Sequence, residues 1–365
     1  MKSVLNNYTI VCLLFLYALA LSSCEKEDMD SGSPSDDYSG GVFISCEGSF
    51  NAGNGSISWY DTETGEIVNN LFEKVNGRPT GDVVHSFALA GDKGVIVVNN
   101  SQKIEVVDLK SFESAATITG FSYPRYFVYE GKDAGYLSDG SMEGHVYRID
   151  LQKGIVTDTI VVGNGPEQLA ISGHYLFVAN SGGWGYDNTV SVIDTRTKEV
   201  ANTIAVGDIP VALVADRDDN IWVLCRGKVV YNADWTEITD ETDSEIVRIN
   251  VKDMTVDRRI VTGQKGDYFN PSWLSVSPGG ETLYFGEAEG LYAMGIDEHD
   301  QPAEPLAGKN FAAAGIHPGT GNLFALELTD FTSPGLLHIY EGDALLSTLE
   351  TGIGPGSIVF QWKRR

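Results

Sequence analysis

Residues 166–207 read PEQLAISGHYLFVANSGGWGYDNTVSVIDTRTKEVANTIAVG. Four short apolar segments, PEQLAIS, YLFVANS, TVSVIDT and VANTIAVG, alternate with turn-forming Gly, Asp, Asn and charged residues, which predicts four strands joined by turns. The third segment closes on Asp194. The same ending recurs at Asp61 (SWYD), Asp108 (EVVD), Asp150 (YRID), Asn250 (VRIN), Asp297 (MGID) and Glu341 (HIYE), at spacings of 47, 42, 44, 56, 47 and 44 residues. That is seven copies of one four-stranded unit, the period expected of an array whose neighbours bury one another.

A proline marks the passage into the next unit at Pro79, Pro124, Pro166, Pro210, Pro271 and Pro355; the sixth unit has Lys309-Asn310-Phe311-Ala312 instead. Proline fixes φ and needs no ladder donor, so it suits the entry to a strand. The second strand of each unit is continuously apolar (VFIS, VIVV, LFVA, IWVL, LYFG, LFAL), as a strand is when both faces of its sheet are covered. The fold class that follows is all-β, a seven-bladed β-propeller of four-stranded antiparallel blades over residues 41–365. Gly41-Val42-Phe43-Ile44 matches a second strand with no first strand before it, and Ser357–Trp362 matches a first strand. The C-terminal segment is therefore expected to complete blade 1 and close the ring, removing an open edge. Leu176–Ser181 followed by Thr189–Asp194 resembles the signature of the YVTN-repeat, surface-layer-protein-like propellers, most strongly in the fourth unit.

Residues 1–23 read as an address rather than as fold. Lys2 precedes an apolar run from Tyr8 to Ala20, and Leu21-Ser22-Ser23-Cys24 resembles the lipobox of bacterial lipoproteins, which implies lipidation at Cys24. Glu25-Lys26-Glu27-Asp28 resembles the surface-export signal of Bacteroidetes lipoproteins. Residues 24–40 read as a flexible acidic tether. The expected location is the outer membrane, held by the lipid anchor alone and exposed at the cell surface.

The chain has 365 residues and a formal net charge of −26. Cleavage before Cys24 leaves 24 bases against 51 acids, a net of −27. Such a surface repels phosphate backbones, so no nucleic-acid partner is expected. Four cysteines in this length are no disulfide scaffold. Cys46 and Cys225, at matching positions of blades 1 and 5, are expected to be buried thiols too far apart to bridge. Asp216-Arg217-Asp218-Asp219-Asn220 reads as a turn rather than a calcium loop.

Loops between second and third strands share one face of a propeller with the passages between blades. That face collects Phe50 and Asn51, then Tyr123, Arg125, Tyr126, Trp184, Tyr186, Tyr231, Trp235, Tyr268, Phe269, Trp273 and Phe331. Residues 226–244 form its longest loop, and long loops on a rigid scaffold commonly carry function. Arg125 follows Pro124 and is expected near the axis, as are Glu167, Gln168 and Trp273. The sequence contains no GxSxG, Walker, HExxH or CxxC motif, and its six histidines show no metal-ligand spacing. The expectation is a binding protein and not an enzyme, requiring no cofactor or metal. The resemblance to the cobalamin-capturing surface lipoproteins of gut Bacteroidetes implies cobalamin (vitamin B12) as the ligand and a TonB-dependent transporter as the partner. Alternatives are a glycan-binding or adhesion module and a metal-dependent propeller enzyme of the lactonase or lyase type.

Overall fold

The computed structural model describes residues 37–263 and 273–362. Blade 1 contains β1 (Gly41–Cys46), β2 (Ser56–Tyr60) and β3 (Ile67–Val68), followed by helix α1 (Leu71–Asn76). Blade 2 is β4 (Val84–Ala90), β5 (Lys93–Val98), β6 (Lys103–Asp108) and β7 (Ser114–Thr119). Blade 3 is β8 (Pro124–Gly131), β9 (Ala134–Asp139), β10 (His145–Asp150) and β11 (Ile155–Val161). Blade 4 is β12 (Pro166–Ser172), β13 (Tyr175–Asn180), β14 (Thr189–Asp194) and β15 (Glu199–Ala205). Blade 5 runs β16 (Pro210–Ala215), β17 (Ile221–Cys225), then a hairpin of β18 (Val229–Tyr231) and β19 (Ile238–Glu241), then β20 (Glu245–Asn250) and β21 (Thr255–Val261). Blade 6 is β22 (Leu274–Val276), β23 (Thr282–Glu287) and β24 (Gly290–Gly295). Blade 7 is β25 (Ala313–Ile316), β26 (Leu323–Glu327), β27 (Pro334–Glu341) and β28 (Ala344–Ile353), and β29 (Pro355–Gln361) returns to blade 1.

The result is an all-β, seven-bladed propeller of antiparallel blades. The sheet order β29-β1-β2-β3 places the C-terminal strand innermost in blade 1. Register runs from Gly41 opposite Gln361 to Ser45 opposite Ser357, so the ring closes as the terminal segments require.

Seven clusters of buried side chains account for the continuous apolar second strands, one at each seam between blades. In β13, Leu176 and Val178 point into the seam with blade 3, whereas Phe177 and Ala179 point into the seam with blade 5. Successive strand residues face opposite ways, so a strand buried on both sides must be apolar throughout.

Three local features depart from the repeat. Blade 1 has an outer strand of only two residues, and α1 follows it, burying Leu71 and Phe72 in the seam with blade 2. Residues 226–244, expected as a loop, fold into the β18–β19 hairpin. Blade 6 has three strands among the described residues, with a single bridge, Leu291 to Ala307, where a fourth would pair. Pro302 and Pro305 lie in that stretch, and proline cannot donate to a ladder.

Truncation after Gly354 should abolish the cooperative thermal transition of the whole propeller, because β1 loses its inner partner and both seams of blade 1 open. A truncated chain melting within a few degrees of the full one would show that closure is dispensable.

Candidate functional site

In five of the seven blades the ladder slips where the inner strand begins. Register shifts occur between Val84 and Ser86, Pro124 and Phe127, Pro166 and Leu169, and Pro210 and Ala212, and β29 skips Gly356. Such bulges release residues from the sheet and re-aim their side chains. The residues released are His85, Arg125, Tyr126, Glu167, Gln168, Val211 and Gly356, and all seven line one cavity of about 800 Å³. A second ring comes from residues just past the second strands: Glu47, Ser181, Arg226 and Leu328. All seven blades contribute to its wall, which places the cavity at the propeller axis.

Four charged or titratable side chains from consecutive blades form a chain there. The Glu47 carboxylate (Oε1) lies 3.2 Å from His85 Nδ1, which lies 3.4 Å from Arg125 Nη1, and Arg125 Nε donates to Glu167 Oε2 at 2.8 Å. The backbone under Arg125 is held by Asn99 Nδ2 donating to the Pro124 carbonyl at 2.8 Å and by Ser86 Oγ donating to the Arg125 carbonyl at 2.7 Å. Gln168 is spent structurally, its Oε1 accepting from the Leu213 amide at 2.8 Å. His85 Nδ1 faces an acceptor and a donor at once and satisfies one at a time. Its Nε2 is buried without a hydrogen-bond partner.

The electrostatics follow from this geometry. Burial and the Arg125 charge push the His85 pKa down, against the pull of Glu47. Burial alone would raise Glu47, but the His85 hydrogen bond and the charges of His85 and Arg125 hold its carboxyl below the usual range. Burial also opposes the Arg125 charge, and the Glu167 carboxylate more than offsets it. Tyr126, edge-on to the His85 ring at 4.9 Å, is pushed up to about 12 by burial and by Glu167.

The rest of the wall is mixed: Arg226, Ser275 and Asn310 stand there among a set of apolar side chains. Blades 5 to 7 supply Val211, Ala212, Trp273, Leu274, Phe311 and Leu328. Trp273 is buried and donates through Nε1 to the Phe311 carbonyl at 2.7 Å, so its ring is wall and its polar atom is committed.

Of the residues singled out from sequence, Arg125, Tyr126, Trp273 and Phe331 line the cavity. Tyr123 stands behind Arg125, its ring centroid 5.3 Å from the guanidinium, and touches Trp184 at 6.0 Å. Trp184 is 82% exposed on a glycine-rich loop whose Gly183 and Gly185 reach the cavity. Tyr186 Oη donates to the Val229 carbonyl at 2.9 Å, tying that loop to the hairpin. Tyr231 stacks on Trp235 at 5.6 Å, and Trp235 is 74% exposed near the hairpin tip with a positive φ of 58°. Phe50 is exposed, and the Asn51 amide donates to Asp82. Cys24, Tyr268 and Phe269 lie outside the described residues. Cys46 and Cys225 are buried free thiols, and burial pushes Cys46 up to about 11. Asp216 accepts from the Asp218 and Asn220 amides and from Trp222 Nε1, so the acidic run is a turn. Among the described residues, no group of three His, Cys, Asp or Glu is placed to hold a metal ion.

Sequence reading missed His85, Glu47 and Arg226. His85 has the same offset from strand entry as Arg125, but Val84 stands where other blades have proline. Glu47 and Arg226 each follow one of the matched cysteines, a periodicity that was present in the sequence.

With the geometry in view, comparisons place the chain. It belongs to the family described as Domain of unknown function (DUF5074), whose model matches residues 40–331. Among solved structures it is similar to a quinonprotein alcohol dehydrogenase-like protein from Bacteroides thetaiotaomicron (16% identity, TM-score 0.65, 89% of this chain and 79% of that one). It is also similar to hydrazine synthase of Kuenenia stuttgartiensis (14% identity, TM-score 0.56, 75% of this chain and 88% of that one). At these identities the likeness is one of fold. No curated protein matches.

Two predictions follow from the charges and exposures. Both lowered pKa values mean that the unfolded chain binds more protons, so stability falls on acidification. The His85 contribution is present above its unfolded value of 6.5 and is lost as pH falls below it; the Glu47 contribution is lost below 4.5. His85→Gln should flatten the melting-temperature profile just below pH 6.5 and Glu47→Gln the profile below pH 4.5, with unchanged slopes counting against the chain. Trp184→Ala and Trp235→Ala, both at exposed sites, should each change stability by no more than about 0.5 kcal/mol in urea unfolding. A loss of several kcal/mol would mean that these rings are structural.

Proposed function

We propose that this protein is a lipid-anchored surface binding protein that captures a small ligand at the axial cavity and the loops around it. The ligand is cobalamin, delivered to a TonB-dependent outer-membrane transporter. The observation that carries the reading is the cavity itself: a chain of charged, hydrogen-bonding groups on one side and a wall rich in apolar side chains on the other, assembled from all seven blades beside exposed aromatic loops. Its volume falls within the range of small-molecule sites.

The chemistry of cobalamin matches that division. A corrin is a broad, partly apolar plate with amide arms and a nucleotide tail. The cavity takes an arm or the tail, and Trp184 with the Tyr231–Trp235 pair lies against the plate. A rigid propeller limits the ordering entropy lost on binding. The lipobox-like Leu21–Cys24 and the acidic run after it support attachment at the cell surface. Exposed Trp235, stacked on the half-buried Tyr231, also suits the face of a sugar ring, which keeps a glycan as the second reading.

Mature protein lacking the lipid, mixed with cyanocobalamin and passed over gel filtration, should carry the corrin absorbance with it at about one to one. Absence of co-elution at micromolar protein would overturn cobalamin as the ligand and make a glycan panel the next experiment.

A further inference from the structure

The reading of the cavity as a ligand site can be carried to the kind of group it binds. We infer that the axial cavity takes an amphiphilic group with an oxyanion head (carboxylate, phosphate or sulfonate), free or as the tail of a larger ligand, the head on the Arg125 guanidinium and the apolar body on blades 5 to 7. This rests on the proposed ligand-binding role of the cavity and adds a chemical class that the role does not specify.

Three observations carry it. First, Arg125 is only partly used. Its Nε–H goes to Glu167 and its Nη1 sits at 3.4 Å from His85 Nδ1, while Nη2 has no hydrogen bond to any described residue. The Arg125 side chain keeps 18% exposure and lines the cavity wall, its guanidinium held from behind by the Tyr123 ring. A guanidinium edge fixed in this way presents parallel donors, which suits an oxyanion better than a point acceptor.

Second, the charges cancel at this place. Arg125 and Arg226 stand against Glu47 and Glu167 in the cavity wall. The chain as a whole carries −26. An anion approaching the general surface is repelled, whereas at the axis it meets no net formal charge and an open donor edge. Third, His85 Nε2, on a side chain only 10% exposed, has no partner. It belongs to the ring whose Nδ1 meets Arg125, and is a buried polar atom without a hydrogen-bond partner beside the same cavity.

The apolar side chains of the wall decide what the head is attached to. Val211, Ala212, Leu274, Phe311 and Leu328 offer no competing hydrogen bond through their side chains. Phe331, half-exposed, extends that wall.

The probe is 1-anilinonaphthalene-8-sulfonate, compared with N-phenyl-1-naphthylamine, which has a similar apolar body and no sulfonate. Binding is followed by fluorescence on the full propeller, with the fold of each variant checked by thermal melting. The sulfonate should bind saturably at one per chain and at least tenfold more tightly than the uncharged probe. Arg125→Gln should weaken the sulfonate at least tenfold and leave the uncharged probe unchanged. Glu167→Gln should tighten the sulfonate about threefold or more, because the amide oxygen still accepts from Arg125 while the repelling charge is gone. Phe331→Ala should weaken both probes. Decanoate and decyl phosphate, added as competitors, distinguish the carboxylate from the phosphate head, and displacement by either supports the inference.

Equal affinity for the two probes, equal shifts of both probes in the Arg125 and Glu167 variants, or no displacement by either competitor would overturn the inference. Should Arg125→Gln fail to fold, Glu167→Gln and Arg125→Lys decide it alone: Lys should retain only part of the selectivity, since it lacks the fork. Cobalamin co-elution and sulfonate selectivity can fail separately, so loss of one does not decide the other.

Discussion

Everything in this molecule depends on one pairing between segments three hundred residues apart. β1 and β29 join at Gly41–Gln361 through Cys46–Pro355. The junction is reinforced by side chains: the Gly40 amide donates to Gln361 Oε1 at 2.9 Å, Trp59 Nε1 donates to the Gly40 carbonyl at 2.7 Å, and the Ser45 and Ser357 hydroxyls are hydrogen-bonded. Closing so long a loop costs entropy only logarithmically in its length. What the closure secures is larger. Blade 1 packs on blade 2 through Phe43, Phe87 and Phe112 and on blade 7 through Ile44, Phe324 and Leu337. Both seams lose a wall if the inner strand leaves.

The closed ring also makes the axial chemistry possible. Five of the inner strands, β4, β8, β12, β16 and β29, start with a slip in the ladder, and the residues released there line the axial cavity. Buried charges are costly unless paired, and here the pairing is made across blades: Glu47, His85, Arg125 and Glu167 come from blades 1, 2, 3 and 4. No single blade contains a satisfied set. The chain of contacts is therefore a consequence of assembly, and the same assembly sets a cluster of apolar side chains opposite it. A strongly acidic protein thus carries a charge-balanced cavity at its centre.

Much of this was legible in the sequence because it is periodic. The strand endings from Asp61 to Glu341 gave blade number, the missing first strand gave closure, and Pro124 and Pro166 placed Arg125 and Glu167 at the axis. The parts that stayed hidden are those where the repeat is broken or where residue type gives no cue. His85 follows a valine rather than a proline. Glu47 and Arg226 look like ordinary loop charges until one sees that the residue after a second strand faces inward. Asn232 to Glu237 interrupts the apolar alternation, so the β18–β19 hairpin read as loop. Among the described residues blade 6 has no regular fourth strand, and the segment that would supply it contains two prolines. Aromatic residues on the loop face were found as a group, but sequence gave no way to separate Trp273, which is wall, from Trp184, which is exposed.

The central claim is that ring closure by β29 holds the inner strands, and the charged chain they carry, as one cooperative unit. Hydrogen–deuterium exchange on the native protein tests it most directly. The account predicts that amides of residues 355–361 exchange as slowly as those of 124–131, and that both lose protection together as denaturant rises. Rapid exchange in 355–361 alongside full protection in 124–131 would contradict it.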